Sequence, residues 1–487
     1  MPKTRDITRR ELLFWGVASG MSGIALGNQR TSSSPAPKPN IVFILADDLG
    51  YADLSSYGRP DIRTPHIDGI AKDGARLTQA YANSAVCTAT RTALITGRYQ
   101  YRLRVGLEEP LVGNPGVGLP PEQPTLPSLL KKGGYTTTLI GKWHLGELPT
   151  FGPLQSGYDH FYGFRGGALD YFSHKAPNGV DDLWDDNTQI HQTGYMTQLL
   201  GDRATAVIEG YAKSRQPFLL SLHFNSPHWP WEGPEDQRES DRLRAKPASD
   251  LPSLFDFDGG TQKTYRRMVE SMDQAVGRVL AALESSALAK NTIVIFTSDN
   301  GGERFSDNWP FTGRKTELLE GGLRIPALIR WTGHIPPATT CEQVTMSMDW
   351  MPTLLAAAGI APDSAFALDG INLLPVLEAR APDIRRTLFW RYKANAQRAV
   401  RDGDFKFLKI RDNTFLFNVV EDPLERANLK DRYPEIYKKL ITEWHQWNAT
   451  MMPELSESYT DAFTAKQLAD HIGAQPATTE PDLGDDD

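Results

Sequence analysis

The sequence predicts an α/β protein in which a large, mostly parallel sheet is flanked by helices and followed by a smaller C-terminal subdomain. Three observations carry that reading. Apolar, β-rich runs alternate with helical ones between residues 41 and 297, and four of those strands end directly in a polar cluster. Beyond residue 375, short strands separated by Asp, Gly and Asn turns replace the alternation.

The elements follow in order. Residues 41–46 are a continuous apolar run ending at Asp47 and Asp48, which reads as a buried parallel strand with carboxylates at its C-terminal end. Residues 125–132 read as a short helix, and residues 135–140 as a strand followed by Gly141, Lys142, Trp143 and His144. A helix over 196–214 leads to a strand over 218–224, which runs into Ser226, Pro227 and His228. A long helix over 265–283 precedes a strand over 291–297, and Asp299, Asn300, Gly301 and Gly302 follow. Open α/β sheets hold ligands outside the C-terminal ends of their strands, so four strands point their polar residues at one edge. Residues 388–391, 399–408 and 414–418 supply short strands, and 434–447 an amphipathic helix.

At 487 residues the chain exceeds one core of ordinary size, yet it has no long linker after residue 40. Hydrophobic residues make up 40% and charged residues 23%, ordinary values for a soluble globular protein. The net charge of -8 argues against nucleic acid as a partner, because no basic stripe is available to neutralise phosphates. An anionic ligand would be held by locally placed Lys, Arg and His, or by a metal. Cys87 and Cys341 are the only cysteines, which excludes a disulfide framework.

The run Thr8-Arg9-Arg10-Glu11-Leu12-Leu13 resembles the twin-arginine export motif. The apolar segment over 12–27 contains several Gly and Ser residues and falls short of the roughly 20 apolar residues of a membrane span. A signal peptide is the reading, with an uncleaved anchor as the alternative, and no stable membrane span is expected. Periplasmic or secreted localisation follows.

Asp47, Asp48, Asp299 and Asn300 offer carboxylate and amide oxygens, with no cysteine or histidine cluster of zinc spacing. Such donors suit Ca²⁺ or Mg²⁺. Adjacent acids at a strand end repel each other without a cation, although each pair is also a plausible turn sequence.

Cys87 opens the run Cys87-Thr88-Ala89-Thr90-Arg91. A cysteine with Ala two residues on and Arg four residues on resembles the signature of type I, formylglycine-dependent sulfatases, an arylsulfatase-like family of the alkaline phosphatase superfamily. Ala89 stands where proline is most frequent, and His66 where Asn is usual; the resemblance runs from Pro39 to about Trp447. It implies an alkaline phosphatase-like fold, with a large mixed, mostly parallel sheet and a small C-terminal antiparallel sheet packed with one helix. The expected organisation is a signal peptide (1–30), a linker (31–39), a catalytic domain (40–375), a C-terminal subdomain (376–450) and a tail (451–487) whose acidic end reads as disordered.

The resemblance also implies a sulfuric ester hydrolase. In that family a formylglycine-generating enzyme oxidises the cysteine, and the hydrated aldehyde is the nucleophile. Asp47, Asp48, Asp299 and Asn300 then look like the sulfatase calcium site, which the modified Cys87 completes; Ca²⁺ is expected ahead of Mg²⁺. Arg91, one helical turn beyond Cys87, would hold the hydrated aldehyde. Lys142 would bind a sulfate oxygen, and His144 would take the proton as the sulfated nucleophile breaks down. His228 and Lys315 match the sulfate-binding pair on the leaving-group side, one of them protonating the leaving oxygen. Lys142 and His144 alternate along a segment read as extended, which would turn both to the same side.

His174, in Asp170-Tyr171-Phe172-Ser173-His174, is a candidate substrate contact, and Trp229, Trp231 and Trp309 are candidates for the rim. The partner is a small-molecule or saccharide sulfate ester, with aryl and carbohydrate esters both open and the oligomeric state undetermined. Related formylglycine enzymes handle phosphonates and phosphate diesters, and a saccharide-binding protein that keeps Cys87 as a thiol is the non-enzymatic alternative.

Overall fold

A computed structural model describes residues 37–214, 216–246 and 259–463; the signal peptide expected over 1–30, most of the linker over 31–39 and the acidic end of the tail lie outside the described residues. No helix among the described residues is long and apolar enough to cross a membrane.

The first strands are β1 (Asn40–Ala46), β2 (Ala75–Leu77), β3 (Ala80–Tyr81), β4 (Thr136–Lys142), β5 (His160–Phe164), β6 (Trp184–Asp185), β7 (Thr188–Gln189) and β8 (Phe218–His223). After them come β9 (Thr292–Ser298), β10 (Ala327–Arg330), β11 (Thr339–Cys341) and β12 (Thr345–Met346). β3 and β12 form a separate two-stranded sheet, and the other ten make one sheet in the order β11-β2-β10-β9-β1-β8-β4-β5-β6-β7. Its centre, β9-β1-β8-β4-β5, is parallel throughout. β10 runs antiparallel to β9, and β6 to β5. The sheet is mixed and mostly parallel, as the sequence predicts.

β1 shows why its run is apolar without interruption. Ile41, Phe43 and Leu45 pack on one face with Leu94 and Ile95 of the Cys87–Thr96 helix. Val42, Ile44 and Ala46 pack on the other face with Met196 and Leu200 of the Met196–Tyr211 helix and Met268 of the Gln262–Ser285 helix. Alternate residues feed two separate apolar layers, so both must be apolar. Caps set the helix starts. Thr125 accepts the Ser128 N–H at 3.1 Å and opens the Leu126–Lys132 helix, and Thr261 does the same for Gln262–Ser285 through Thr264. The strand read as 135–140 extends further than the apolar pattern suggests, with Lys142 as the last residue of β4.

At the C-terminal end, β13 (Thr387–Tyr392), β14 (Gln397–Asp402), β15 (Phe405–Ile410) and β16 (Asn413–Asn418) form an antiparallel sheet. The Pro434–Asn448 helix packs Leu440 and Trp444 against Val400, Phe407 and Leu416 of that sheet. A buried ionic hub ties the sheet to the main body. Lys406 Nζ lies 3.0 Å from Glu320 and 2.9 Å from Glu425, and Glu320 also accepts Arg324 Nε at 3.0 Å. Residues 451–463, the first part of the expected tail, return to the main body. There the Glu109 N–H donates to the Tyr459 carbonyl, the Asp461 N–H to the Glu109 carbonyl and the Thr460 hydroxyl to the Glu109 carboxyl.

Candidate active site

The parallel strands deliver their polar residues to one edge. Asp47 and Asp48 follow β1, Lys142 closes β4, and Asp299 and Asn300 follow β9. Cys87 is the first residue of its helix, entered from the extended Val86. These residues, Arg91, His144, His228 and Lys315 are all buried.

Their contacts interlock. Lys142 Nζ donates to Asp47 Oδ2 at 2.7 Å, Lys315 Nζ to Asp48 Oδ2 at 2.6 Å and Asn300 Nδ2 to Asp48 Oδ1 at 2.7 Å. Arg91 Nε donates to Asp299 Oδ2 at 2.9 Å, and its Nη2 lies 3.7 Å from Asp47 Oδ1. The guanidinium thus bridges two of the acids. His228 Nε2 is 3.6 Å from Asp48 Oδ2, and its Nδ1 is 2.7 Å from the Trp229 carbonyl oxygen.

His144 stands nearest the cysteine. Its Nδ1 lies 3.3 Å from Cys87 Sγ and its Nε2 2.9 Å from the Leu111 carbonyl oxygen. A carbonyl only accepts, so Nε2 carries the hydrogen and Nδ1 turns its lone pair to position 87. The extended reading of residues 142–144 does not hold: His144 sits in the left-handed region, φ 58°, and its N–H donates to the Arg165 carbonyl. β4 has ended two residues earlier, and a turn rather than strand alternation brings the imidazole to Cys87.

Electrostatics fit a cation. Burial pushes the Asp47 carboxyl up to about 8, opposed by the Lys142 ammonium and reinforced by Asp299. Burial acts the same way on Asp48, but Lys315 and His228 outweigh it and hold that carboxyl below the usual range. Asp47 Oδ1 and Asn300 Oδ1 are buried and accept no hydrogen bond. Asp47, Cys87 and Asp299 present ligand atoms within 4.8 Å of one another, as do Asp47, Asp48 and His228. Unpaired hard oxygens converging among buried acids suit a divalent cation of the Ca²⁺ or Mg²⁺ kind.

His174 is not part of this cluster. Its Nε2 lies 3.0 Å from the Gly194 carbonyl oxygen, and its backbone holds Asp170 and Asp182 in the same loop. Among the rim candidates, Trp231 is buried, whereas Trp309 is 66% exposed. Two residues join the site without having been singled out in the sequence. His223, on β8, places Nδ1 3.3 Å from the Lys142 carbonyl oxygen and 3.5 Å from Arg91 Nη1. Glu303 Oε2 lies 3.6 Å from Lys315 Nζ, and burial pushes its carboxyl up to about 7. The available signals were a histidine inside an apolar strand and an acid one residue past the Asp299–Gly302 run.

A family model described as Sulfatase matches residues 39–360, and one described as N-sulphoglucosamine sulphohydrolase, C-terminal, matches residues 313–450. N-acetylgalactosamine-6-sulfatase of Homo sapiens is 33% identical, over 77% of this chain and 72% of its own. Steryl-sulfatase of Mus musculus is 32% identical, over 80% and 73%. Among solved structures, Ps i-CgsB aligns with a TM-score of 0.76 at 28% identity, over 90% of this chain and 98% of its own. That protein has also been solved in complex with k-i-k-neocarrahexaose. Phosphonate monoester hydrolase of Agrobacterium radiobacter, at 20% identity and a TM-score of 0.60 over 85% and 96% of the two chains, shares the fold.

Proposed function

The chain belongs to the sulfatase family and is a sulfuric ester hydrolase, and on that premise we propose that Cys87, converted to formylglycine, hydrolyses its substrate with a divalent cation beside it. The observation that carries this reading is the cysteine's setting, with Asp47, Asp299 and the His144 lone pair around it. As a free thiol Cys87 would be a poor nucleophile, since burial pushes its pKa up.

Asp47, Asp48, Asp299, Asn300 and position 87 would hold the cation, and so many protein donors, three acids and a neutral amide among them, suit Ca²⁺ better than Mg²⁺, which keeps several waters and takes one or two carboxylates. When bound, the cation supplies positive charge toward the sulfuryl oxygens, and the hydrated aldehyde supplies the attacking hydroxyl.

The chain's own groups do the rest. Lys142 and Lys315, already pointing at Asp47 and Asp48, bind sulfuryl oxygens and stabilise the charge that grows on them. Arg91 keeps Asp299 and Asp47 oriented and holds the hydroxyls at position 87. His144, fixed by the Leu111 carbonyl, accepts a proton at Nδ1 from position 87. The leaving oxygen is protonated by Lys315 or His228. Burial opposes the charge on Lys315, but Asp48 and Glu303 outweigh it, so the ammonium carries its proton throughout the working range.

A sulfated saccharide is the substrate class we favour, supported by the names of the N-acetylgalactosamine-6-sulfatase relatives and by the carrahexaose complex of Ps i-CgsB. Ca²⁺ as the ion, maturation by a formylglycine-generating enzyme and twin-arginine export to the periplasm or beyond belong to the same proposal. The export part rests on the Thr8-to-Leu13 run alone. Protein made in a host with that enzyme should turn over an aryl sulfate faster than a phosphonate monoester. It should lose turnover on chelation and regain it with Ca²⁺. Faster phosphonate turnover, or indifference to chelation, would contradict the reading.

A further inference from the structure

β8 ends at His223, but its ladder goes one step further, because the Phe224 N–H donates to the Leu45 carbonyl at 2.9 Å. Phe224 joins the apolar layer that holds Leu220 and Leu222. His223 faces the other way, edge-on to Phe43 and close to Arg91. Alternation therefore sends Asn225 toward the His223 side, where Arg91 meets the acids. The backbone agrees: beyond Leu45, opposite His223, the regular register gives way, and the Asp47 N–H donates to the Ser226 carbonyl at 3.2 Å, which sets the chain next to Asn225 beside Asp47.

The backbone of Asn225 is well used. Its carbonyl accepts the Tyr171 hydroxyl at 2.9 Å and the His228 N–H at 2.9 Å. The side chain is not. Asn225 is 2% exposed, yet neither Oδ1 nor Nδ2 has a hydrogen-bond partner. A buried carboxamide missing its bonds is costly, and an apolar residue of the same size would avoid the cost. Keeping Asn here makes sense if its partner arrives with the ligand.

We infer that the Asn225 carboxamide is a further substrate-binding group, donating through Nδ2 to a tetrahedral oxyanion, the sulfuryl group of the substrate or the sulfate released from it. The inference rests on the reading of the Cys87 cluster as a sulfate-ester site. A neutral, directional donor complements the lysines there, because it fixes the orientation of the anion without adding charge.

The test compares Asn225→Leu and Asn225→Ser with the wild type by calorimetric titration with inorganic sulfate, by kcat/KM on an aryl sulfate and by Tm. Leu keeps the volume and removes both polar atoms; Ser keeps a donor. For Leu, the Kd for sulfate should rise and kcat/KM should fall, each by roughly 10- to 100-fold, as for loss of a hydrogen bond to a charged group. Its Tm should equal or exceed that of the wild type, and Ser should lie between. A side chain that only shapes the turn before His228 would lower Tm and activity together and leave sulfate affinity within about twofold. That pattern overturns the inference, as does a Leu variant that binds sulfate like the wild type. If the Leu variant does not fold, the sulfate affinity of the Ser variant decides by the same criterion. A wild type that binds sulfate through Asn225 but cleaves no sulfate ester would sink the wider reading and leave this one standing. A wild type that binds no sulfate would overturn both.

Discussion

The imidazole of His144 is fixed at both ends: Nε2 lies 2.9 Å from the Leu111 carbonyl oxygen, and Nδ1 lies 3.3 Å from Cys87 Sγ. Burial, followed by the Lys142 charge, drives its pKa well below the ordinary imidazole range, so the ring is neutral and ready to accept a proton. Replacing His144 with Ala should lower kcat by roughly 100- to 10,000-fold, the usual contribution of general acid–base catalysis. Thermal melting should change little. A variant that retains most of its turnover would remove His144 from the proton path.

Lys315 offers a test of leaving-group chemistry. An aryl oxide leaves readily without a proton, whereas a sugar alkoxide does not. Lys315→Ala should therefore cost kcat/KM at least roughly tenfold more on a saccharide sulfate than on a nitrophenyl sulfate. Loss of sulfate binding alone would lower both substrates equally. Equal losses would leave His228 as the proton donor.

The hub around Lys406 should matter for stability rather than chemistry. Its ammonium is fully buried and lies between Glu320 and Glu425. Lys406→Met leaves two buried carboxylates without that partner, a change expected to cost about 3–5 kcal/mol. Denaturant unfolding would measure it. A midpoint equal to that of the wild type would show that Arg324 and Tyr81 suffice to hold Glu320.

Glu109 sets a pH dependence. Burial pushes its carboxyl up to about 8 from the ordinary 4.5, although the Lys393 N–H and the Thr460 hydroxyl both donate to it. Between those two values the folded form keeps a proton that the unfolded chain has lost. Stability from this group is therefore full below about 4.5 and is lost as pH rises toward 8. Glu109→Gln accepts the same two bonds without titrating, so its Tm should gain on the wild type steadily across that window. A constant difference between the two would contradict the assignment.

Much of the site was legible because its parts are contiguous in the chain. An apolar run that meets an acid and a second oxygen donor declares a buried strand and its ligand-facing end together, as at Asp47 with Asp48 and Asp299 with Asn300. Cys87 and Arg91 share one turn of one helix. What could not be read depends on backbone geometry or on distant partners. The left-handed turn at His144 has no glycine to announce it. Glu109 finds Lys393 284 residues away and Thr460 351 residues away, and residues 451–463 carry no periodicity that reveals this docking. His174 lies in a loop whose aromatic and polar residues suggest a substrate contact, but its imidazole is used on the Gly194 carbonyl. Asn225 and His223 looked like ordinary polar interruptions at the end of an apolar strand. Only their place beside the end of β1, where the Asp47 N–H meets the Ser226 carbonyl, gives them meaning.

Mass spectrometry of the peptide that contains Cys87, from protein made alongside a formylglycine-generating enzyme, tests the central claim most directly. The account predicts an aldehyde at position 87, lighter than cysteine by the exchange of H₂S for O, and turnover that rises with the fraction converted. Full sulfatase activity from protein whose Cys87 is wholly an unmodified thiol would contradict it.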